Sequence, residues 1–146
     1  MIRHGQLADV SSLATLAQKL WPKHTVDTLE KEIQEAITKP NVAFFLAFTE
    51  NQPIAFAQCQ LRHDYVEGMN SSPVGYLEGI YVRERYRKQG IASELLTACQ
   101  TWAKHNYCTE FASDCEIENN MESLKFHLSH GFIEANRLIC FSKQLT

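Results

Sequence analysis

The apolar positions of this chain change period along its length, and the changes mark its elements. Val10, Leu13, Leu16, Ala17 and Leu20 recur at helical spacing behind Asp9, which predicts a capped helix that Trp21-Pro22 ends. Leu29, Ile33, Ala36 and Ile37 repeat the pattern after Asp27 or Thr28, up to the breaker Lys39-Pro40-Asn41. Val42 to Thr49 is almost continuously apolar and reads as a buried strand. Glu50-Asn51-Gln52-Pro53 then reads as a hairpin turn, with a return strand from Ile54 to Leu61. A polar loop, His63 to Pro73, leads to a third strand, Val74 to Val82. Helical spacing resumes from Ile91 to about His105, with Leu95, Leu96, Cys99, Trp102 and Ala103 on one side. Cys108 to Ser113 predicts a short strand, and Asn119 or Asn120 a cap for a helix through Met121, Leu124 and Leu128. Gly131 suits that helix's end, and Phe132 to Ser142 reads as a last strand or strand pair. A hairpin followed by β-α-β-α order predicts one α/β domain over residues 1–146, a mixed sheet flanked by helices.

The turn between the third strand and the long helix carries the first chemical signal. Tyr86-Arg87-Lys88-Gln89-Gly90-Ile91-Ala92 puts cations and a glycine where a strand feeds a helix. Helix N-termini offer unpaired N–H groups and a favourable dipole for anions, so this turn is a candidate phosphate site. Neither the Walker pattern nor Gly-x-Gly-x-x-Gly is present. Glu78 is the second signal: a carboxylate that interrupts an apolar strand beside Gly79, able to hold an ammonium or accept its proton through water. Asp114 closes a strand, where binding residues gather in α/β sheets, and Glu134 adds a third acid. Trp21, His24 and Tyr65 are aromatic or imidazole groups in loop-like segments, suited to stack on a cationic ligand.

Composition narrows the partners. The 146 residues are 45% hydrophobic and 21% charged, with a net charge of −3, which fits one domain with a core and argues against nucleic acid. No apolar run spans a bilayer and the N-terminus lacks a signal-peptide core, so a cytoplasmic protein without membrane contact is expected. Five cysteines without a Cys-x-x-Cys pair suggest reduced thiols rather than a disulfide framework or a metal site.

Arg87-x-x-Gly90-x-Ala92 resembles the pyrophosphate loop of the GNAT N-acetyltransferases. Six further blocks resemble the short, dimeric aminoglycoside 6'-N-acetyltransferases within that superfamily: Leu20-Trp-Pro-x-His24, Leu61-Arg-His-Asp-Tyr-Val-Glu-Gly68, Ser71-Ser-Pro-Val74, Leu77-Glu-Gly-Ile-Tyr-Val82, Cys108-Thr-Glu-Phe-Ala-Ser-Asp114 and Gly131-Phe132. The resemblance implies a mainly antiparallel sheet with splayed central strands. It also implies acetyl-CoA as co-substrate, an aminoglycoside as acceptor, and a homodimer. Acetyl-CoA contacts are implied for Ile80, Tyr81 and Val82, for Arg87, Lys88, Gln89, Gly90, Ile91, Ala92 and Ser93, and for Asn119. Acceptor contacts are implied for Trp21, His24, Tyr65, Glu78 and Asp114, with Glu78 and Asp114 as catalytic residues that position the amine and help deprotonate it through bound water. Asn136 stands where the family carries a further acid, with Glu134 nearby as a substitute. His127 holds the place of a tyrosine taken in the family as the acid for the leaving thiolate; here either His127 or water does that work. Two other readings stay open at this point: a GNAT enzyme for a polyamine or a protein N-terminus, and an acyl-CoA-binding module without turnover.

Overall fold

A computed structural model of the chain describes residues 1–116 and 120–146. Five strands form one sheet in sequence order: β1 (Ile2–His4), β2 (Val42–Thr49), β3 (Gln52–Arg62), β4 (Val74–Val82) and β5 (Phe111–Ser113). All neighbours are antiparallel except β4 and β5, which run parallel. Among the described residues four α-helices accompany them: α1 (Val10–Leu20), α2 (Val26–Ala36), α3 (Ile91–His105) and α4 (Met121–Ser129). The mixed α/β architecture read from the sequence is the one observed.

The two sheet faces have different textures because side chains alternate along a strand. On one face Val42, Phe44, Leu46 and Phe56 pack with Leu13, Leu16 and Ala17 of α1 and with Leu29 and Ile33 of α2. On the other, small residues dominate: Ala43, Ala47, Ala55, Ala57 and Cys59 lie against Leu95, Leu96 and Cys99 of α3. Small side chains let α3 sit close to the sheet. Each large buried apolar side chain contributes about 1.5–3 kcal/mol.

Several predicted elements are corrected. Asp9 precedes α1 but does not cap it; its carboxylate accepts from the Gln6 amide at 2.8 Å and from Arg3 at 2.7 and 2.8 Å. Arg3, by hydrogen bond, holds that carboxyl below its ordinary range. Thr25, rather than Asp27 or Thr28, caps α2 by accepting from the Thr28 amide. The strand expected from Cys108 to Ser113 keeps its last three residues, and the expected strand over Phe132 to Ser142 is absent. A strand needs a neighbour for its backbone groups, and that segment runs without one, leaving Ile133, Leu138, Ile139 and Phe141 exposed.

Candidate active site

The sheet forks at Glu78. β4 pairs with β5 at Gly75, Tyr76 and Leu77 and then parts from it. Among the described residues, no strand lies beside Glu78 to Val82 on that edge, so alternate backbone groups there face a gap. On the opposite edge Gln58 faces Gly79 and Cys59 faces Leu77, which leaves Glu78 as the extra residue of a β-bulge. The carboxylate that interrupts an apolar strand in sequence therefore sits where pairing changes on both sides.

Gly79 has a steric reason to be glycine. A Cβ there would lie 2.7 Å from Cζ2 of Trp21 and 2.9 Å from Leu20. The Trp21 ring thus lies over the strand, edge-on to Phe56 at 6.2 Å. Trp21, His24 and Glu78 share the rim of a cavity of about 310 Å³, floored by Phe44 and closed by α2. Glu32, Gln58 and Gln60 also reach it and were not anticipated. The cavity therefore offers an indole face, two carboxylates and two amides, a lining suited to a polar cationic molecule.

Two polar pairs frame the fork. Arg62 Nη2 donates to both oxygens of Glu78, at 2.7 and 2.8 Å, and its guanidinium lies 3.5 Å above the Tyr76 ring. The Tyr76 hydroxyl donates to Asp114 at 2.6 Å; burial first, and Asp114 next, push that phenol far above its ordinary range. Asp114 is thereby fixed beside Tyr76 at the end of β5. Neither Arg62 nor Tyr76 was singled out in the sequence. Arg62 did carry a legible signal, a lone charge closing an apolar strand.

The cationic loop follows the end of β4 and leads into α3. Gly90 is the N-cap of α3 at φ +84°, and Lys88 is also left-handed at +63°. A Cβ at Gly90 would meet nothing within 4 Å, so the backbone conformation calls for glycine there, not space. Arg87 Nε donates to the Val82 carbonyl at 2.7 Å and ties the loop to the strand end. Arg87, Lys88, Gly90, Ile91, Ala92 and Ser93 line a second cavity of about 200 Å³ that Val82 and Tyr86 close. An open helix start, a left-handed glycine and two cations fit a phosphate group of a co-substrate such as acetyl-CoA.

Other predicted residues lie apart. Tyr65 is exposed and donates to Glu67 at 3.0 Å. Glu134 pairs with Arg137, and Asn136 is exposed and accepts from the Arg137 amide. Asn119 lies outside the described residues. His127 is held between Phe126 and Phe132, with Nδ1 2.7 Å from the Ser123 carbonyl and Nε2 2.8 Å from Ser113 Oγ on β5. All five cysteines are free thiols, and contact with Cys99, then burial, pushes the Cys59 thiol far up, so it is no ready nucleophile.

The comparisons with known proteins agree on one lineage. The acetyltransferase (GNAT) family model matches residues 9–132. Aminoglycoside N(6')-acetyltransferase type 1 of Serratia marcescens is 40% identical over 131 residues, which span 89% of this chain and 89% of that protein. The aminoglycoside N-acetyltransferase AAC(6')-Iy in complex with CoA superposes with a TM-score of 0.93 at 36% identity, covering 99% of this chain and 95% of that one. Its complex with the bisubstrate analogue CoA-S-monomethyl-acetylneamine gives 0.92 at 36%, covering 99% and 98%. The matched stretch takes in the fork, the loop and both cavities, and the chain belongs to the GNAT acetyltransferase family.

Proposed function

We propose that this chain transfers the acetyl group of acetyl-CoA to the 6'-amino group of aminoglycosides, by direct attack within a ternary complex. One observation carries the reading: the bulged, half-paired β4 puts Glu78 at the rim of the acceptor cavity and starts the free backbone edge that leads to the phosphate loop. The relatives named above are aminoglycoside acetyltransferases, and the neighbouring structures hold CoA or a CoA–aminoglycoside analogue.

In the proposed reaction the pyrophosphate rests on the Arg87–Ser93 loop and the pantetheine arm pairs with the β4 edge. An N–H around Ile80 to Val82 polarises the thioester carbonyl as it gains charge. Glu78, through bound water, takes the proton that frees the amine, and Asp114 and Trp21 hold the acceptor. The amine nitrogen bonds to the carbonyl carbon, the carbon–sulfur bond breaks, and the thiolate takes a proton. The Nδ1 proton of His127 is committed to Ser123 and Nε2 meets Ser113 Oγ, so a charged ring gives its proton through the Ser113 hydroxyl; in the neutral form water supplies it. Acetylation removes a positive charge from the drug, which is the basis of resistance. Because acetyl-CoA supplies the acyl group, the reaction belongs in the cytoplasm.

Thiol release from acetyl-CoA tests the reading. Turnover is expected with kanamycin or tobramycin and none with paromomycin, which carries a 6'-hydroxyl. Turnover with spermidine alone would point to a different amine acceptor, and acetyl-CoA binding without turnover would leave a binding module. Asp114→Ala is expected to raise the aminoglycoside KM at least tenfold, about 1.4 kcal/mol, with little change in the acetyl-CoA KM. Equal changes in both constants would remove Asp114 from the acceptor site.

A homodimer belongs to the same reading. Ile133, Leu138, Ile139, Phe141 and Leu145 are each at least 76% exposed along one terminal segment, an apolar stripe that a second copy would cover. Light scattering should give twice the chain mass, and Phe141→Asp together with Ile139→Asp should shift it toward one. A single-chain mass for the unaltered protein would overturn the dimer.

A further inference from the structure

The loop cavity is closed from the far side by a residue outside the loop motif. His130, at the C-terminal end of α4, lines it together with Phe126. The imidazole is clamped in place. It lies against the Phe126 ring with centroids 4.3 Å apart, its Nδ1 is 2.8 Å from the Phe126 carbonyl oxygen and 3.0 Å from Ser129 Oγ, whose own proton goes to that same carbonyl, and its Nε2 is 2.5 Å from Ser93 Oγ. Ser93 belongs to the first turn of α3, the turn that faces the anion.

Hydrogen-bond direction follows from these partners. A carbonyl oxygen only accepts, so Nδ1 carries a proton. In the neutral ring Nε2 is then bare, and the Ser93 hydroxyl must spend its one proton on it. Ser93 in that state turns lone pairs toward a phosphate, which is unfavourable. Once the ring is charged, Nε2–H donates to Ser93 Oγ and the hydroxyl proton is free to point at the anion.

We propose that His130 is a positioning residue for the phosphates of acetyl-CoA: it takes up a proton as the co-substrate binds, and so turns Ser93 into a donor to the anion. The proposal rests on the acetyl-CoA reading above. One proton passes from solvent to Nε2 while the Ser93 O–H rotates from the ring to a phosphate oxygen; no covalent bond between heavy atoms changes. From the loop, the charged groups at this cavity are Arg87 and Lys88, with Tyr86 as the other titratable group. From α3, Glu94 follows Ser93 but is exposed and outside the lining, and on α4 the His127 ring is engaged by Ser113. The incoming phosphates bring negative charge to the cavity that His130 lines, and that charge couples the proton to the ligand.

Calorimetry of CoA binding near neutral pH, in buffers of different ionisation enthalpy, reads the coupling directly. The unaltered enzyme is expected to take up a measurable fraction of a proton, and His130→Gln none. Steady-state kinetics supply the second readout. His130→Leu should raise the acetyl-CoA KM roughly tenfold. With S-acetylpantetheine, which lacks the phosphates, the same variant should match the unaltered enzyme. Proton uptake that persists in His130→Gln overturns the proposal. So does an equal loss with both acyl donors, which would mark His130 as a packing residue between α3 and α4.

Discussion

Glu78→Gln is expected to lower kcat/KM for a 6'-amino aminoglycoside by roughly two orders of magnitude, the range for removal of a positioned proton acceptor. The amide keeps the shape of the carboxylate and loses its charge. It also leaves the Arg62 guanidinium without its counter-charge, while Nε of that side chain is already buried without a partner. That second effect should cost about 1–3 kcal/mol of stability, less than for a fully buried pair, because 36% of the Arg62 side chain is exposed. The two effects separate in the double variant Arg62→Met, Glu78→Gln. Its melting temperature should recover most of the loss, and its turnover should not. If the single variant folds normally and turns over at the original rate, Glu78 has no part in proton transfer.

Phe56→Ala should destabilise the fold by about 3–5 kcal/mol, because a fully buried aromatic ring leaves a void that its neighbours cannot fill. For a chain of this size that is a fall in melting temperature of roughly 10 °C. A functional signature accompanies it. The Trp21 ring rests edge-on against Phe56, so the indole loses its backing and the aminoglycoside KM should rise while the acetyl-CoA KM holds. Phe56→Leu should recover much of the stability. Thermal denaturation with both KM values checks the claim; a loss below about 1 kcal/mol would mean that this part of the core closes up readily.

What could be read from the residues is what depends on neighbours in sequence. The periodicity from Ile91 to His105 is strong over four turns, and α3 has those bounds. Glu50 and Asn51, both left-handed, make the hairpin turn where turn residues predicted one. β1 was missed because three residues carry no period; it is a strand through its pairing with Phe45 to Ala47. β5 starts three residues later than expected because Phe111 is level with Gly75 in the parallel register, so Cys108 to Glu110 fall beside the point where β4 itself only begins. The stretch from Phe132 has strand-like composition, but composition does not supply a partner strand.

The site divides in the same way. Glu78 stood out as a lone carboxylate in an apolar strand, and the loop as a cationic turn before a helix. Trp21 and His24 were legible as groups for a cationic ligand, but only the family resemblance joined them to Glu78, since nothing local ties them to a carboxylate so far along the chain. Arg62 was missed for a geometric reason. It lies opposite Val74 in the sheet register and reaches Glu78 diagonally with a long side chain. No spacing rule within one strand links the two. His130 escaped notice because its importance comes from Ser93, brought to it by the packing of two helices.

The contrast between the two sheet faces bears on how such an enzyme can change over generations. Acceptor-side residues Leu29, Glu32, Ile33, Ala36 and Phe44 belong to the α1/α2 face, while the co-substrate loop and His130 belong to the α3/α4 face. Substitutions that widen or recharge the acceptor cavity leave the alanine-rich seam against α3 untouched, and effects at well-separated positions add nearly independently. The sheet therefore works as a partition between a half free to drift with each new drug and a half pinned to one invariant donor. Selection by a changing series of antibiotics can rewrite the first without renegotiating the second, and under the proposed chemistry Glu78, at the fork where the halves meet, is the position that such drift must leave alone.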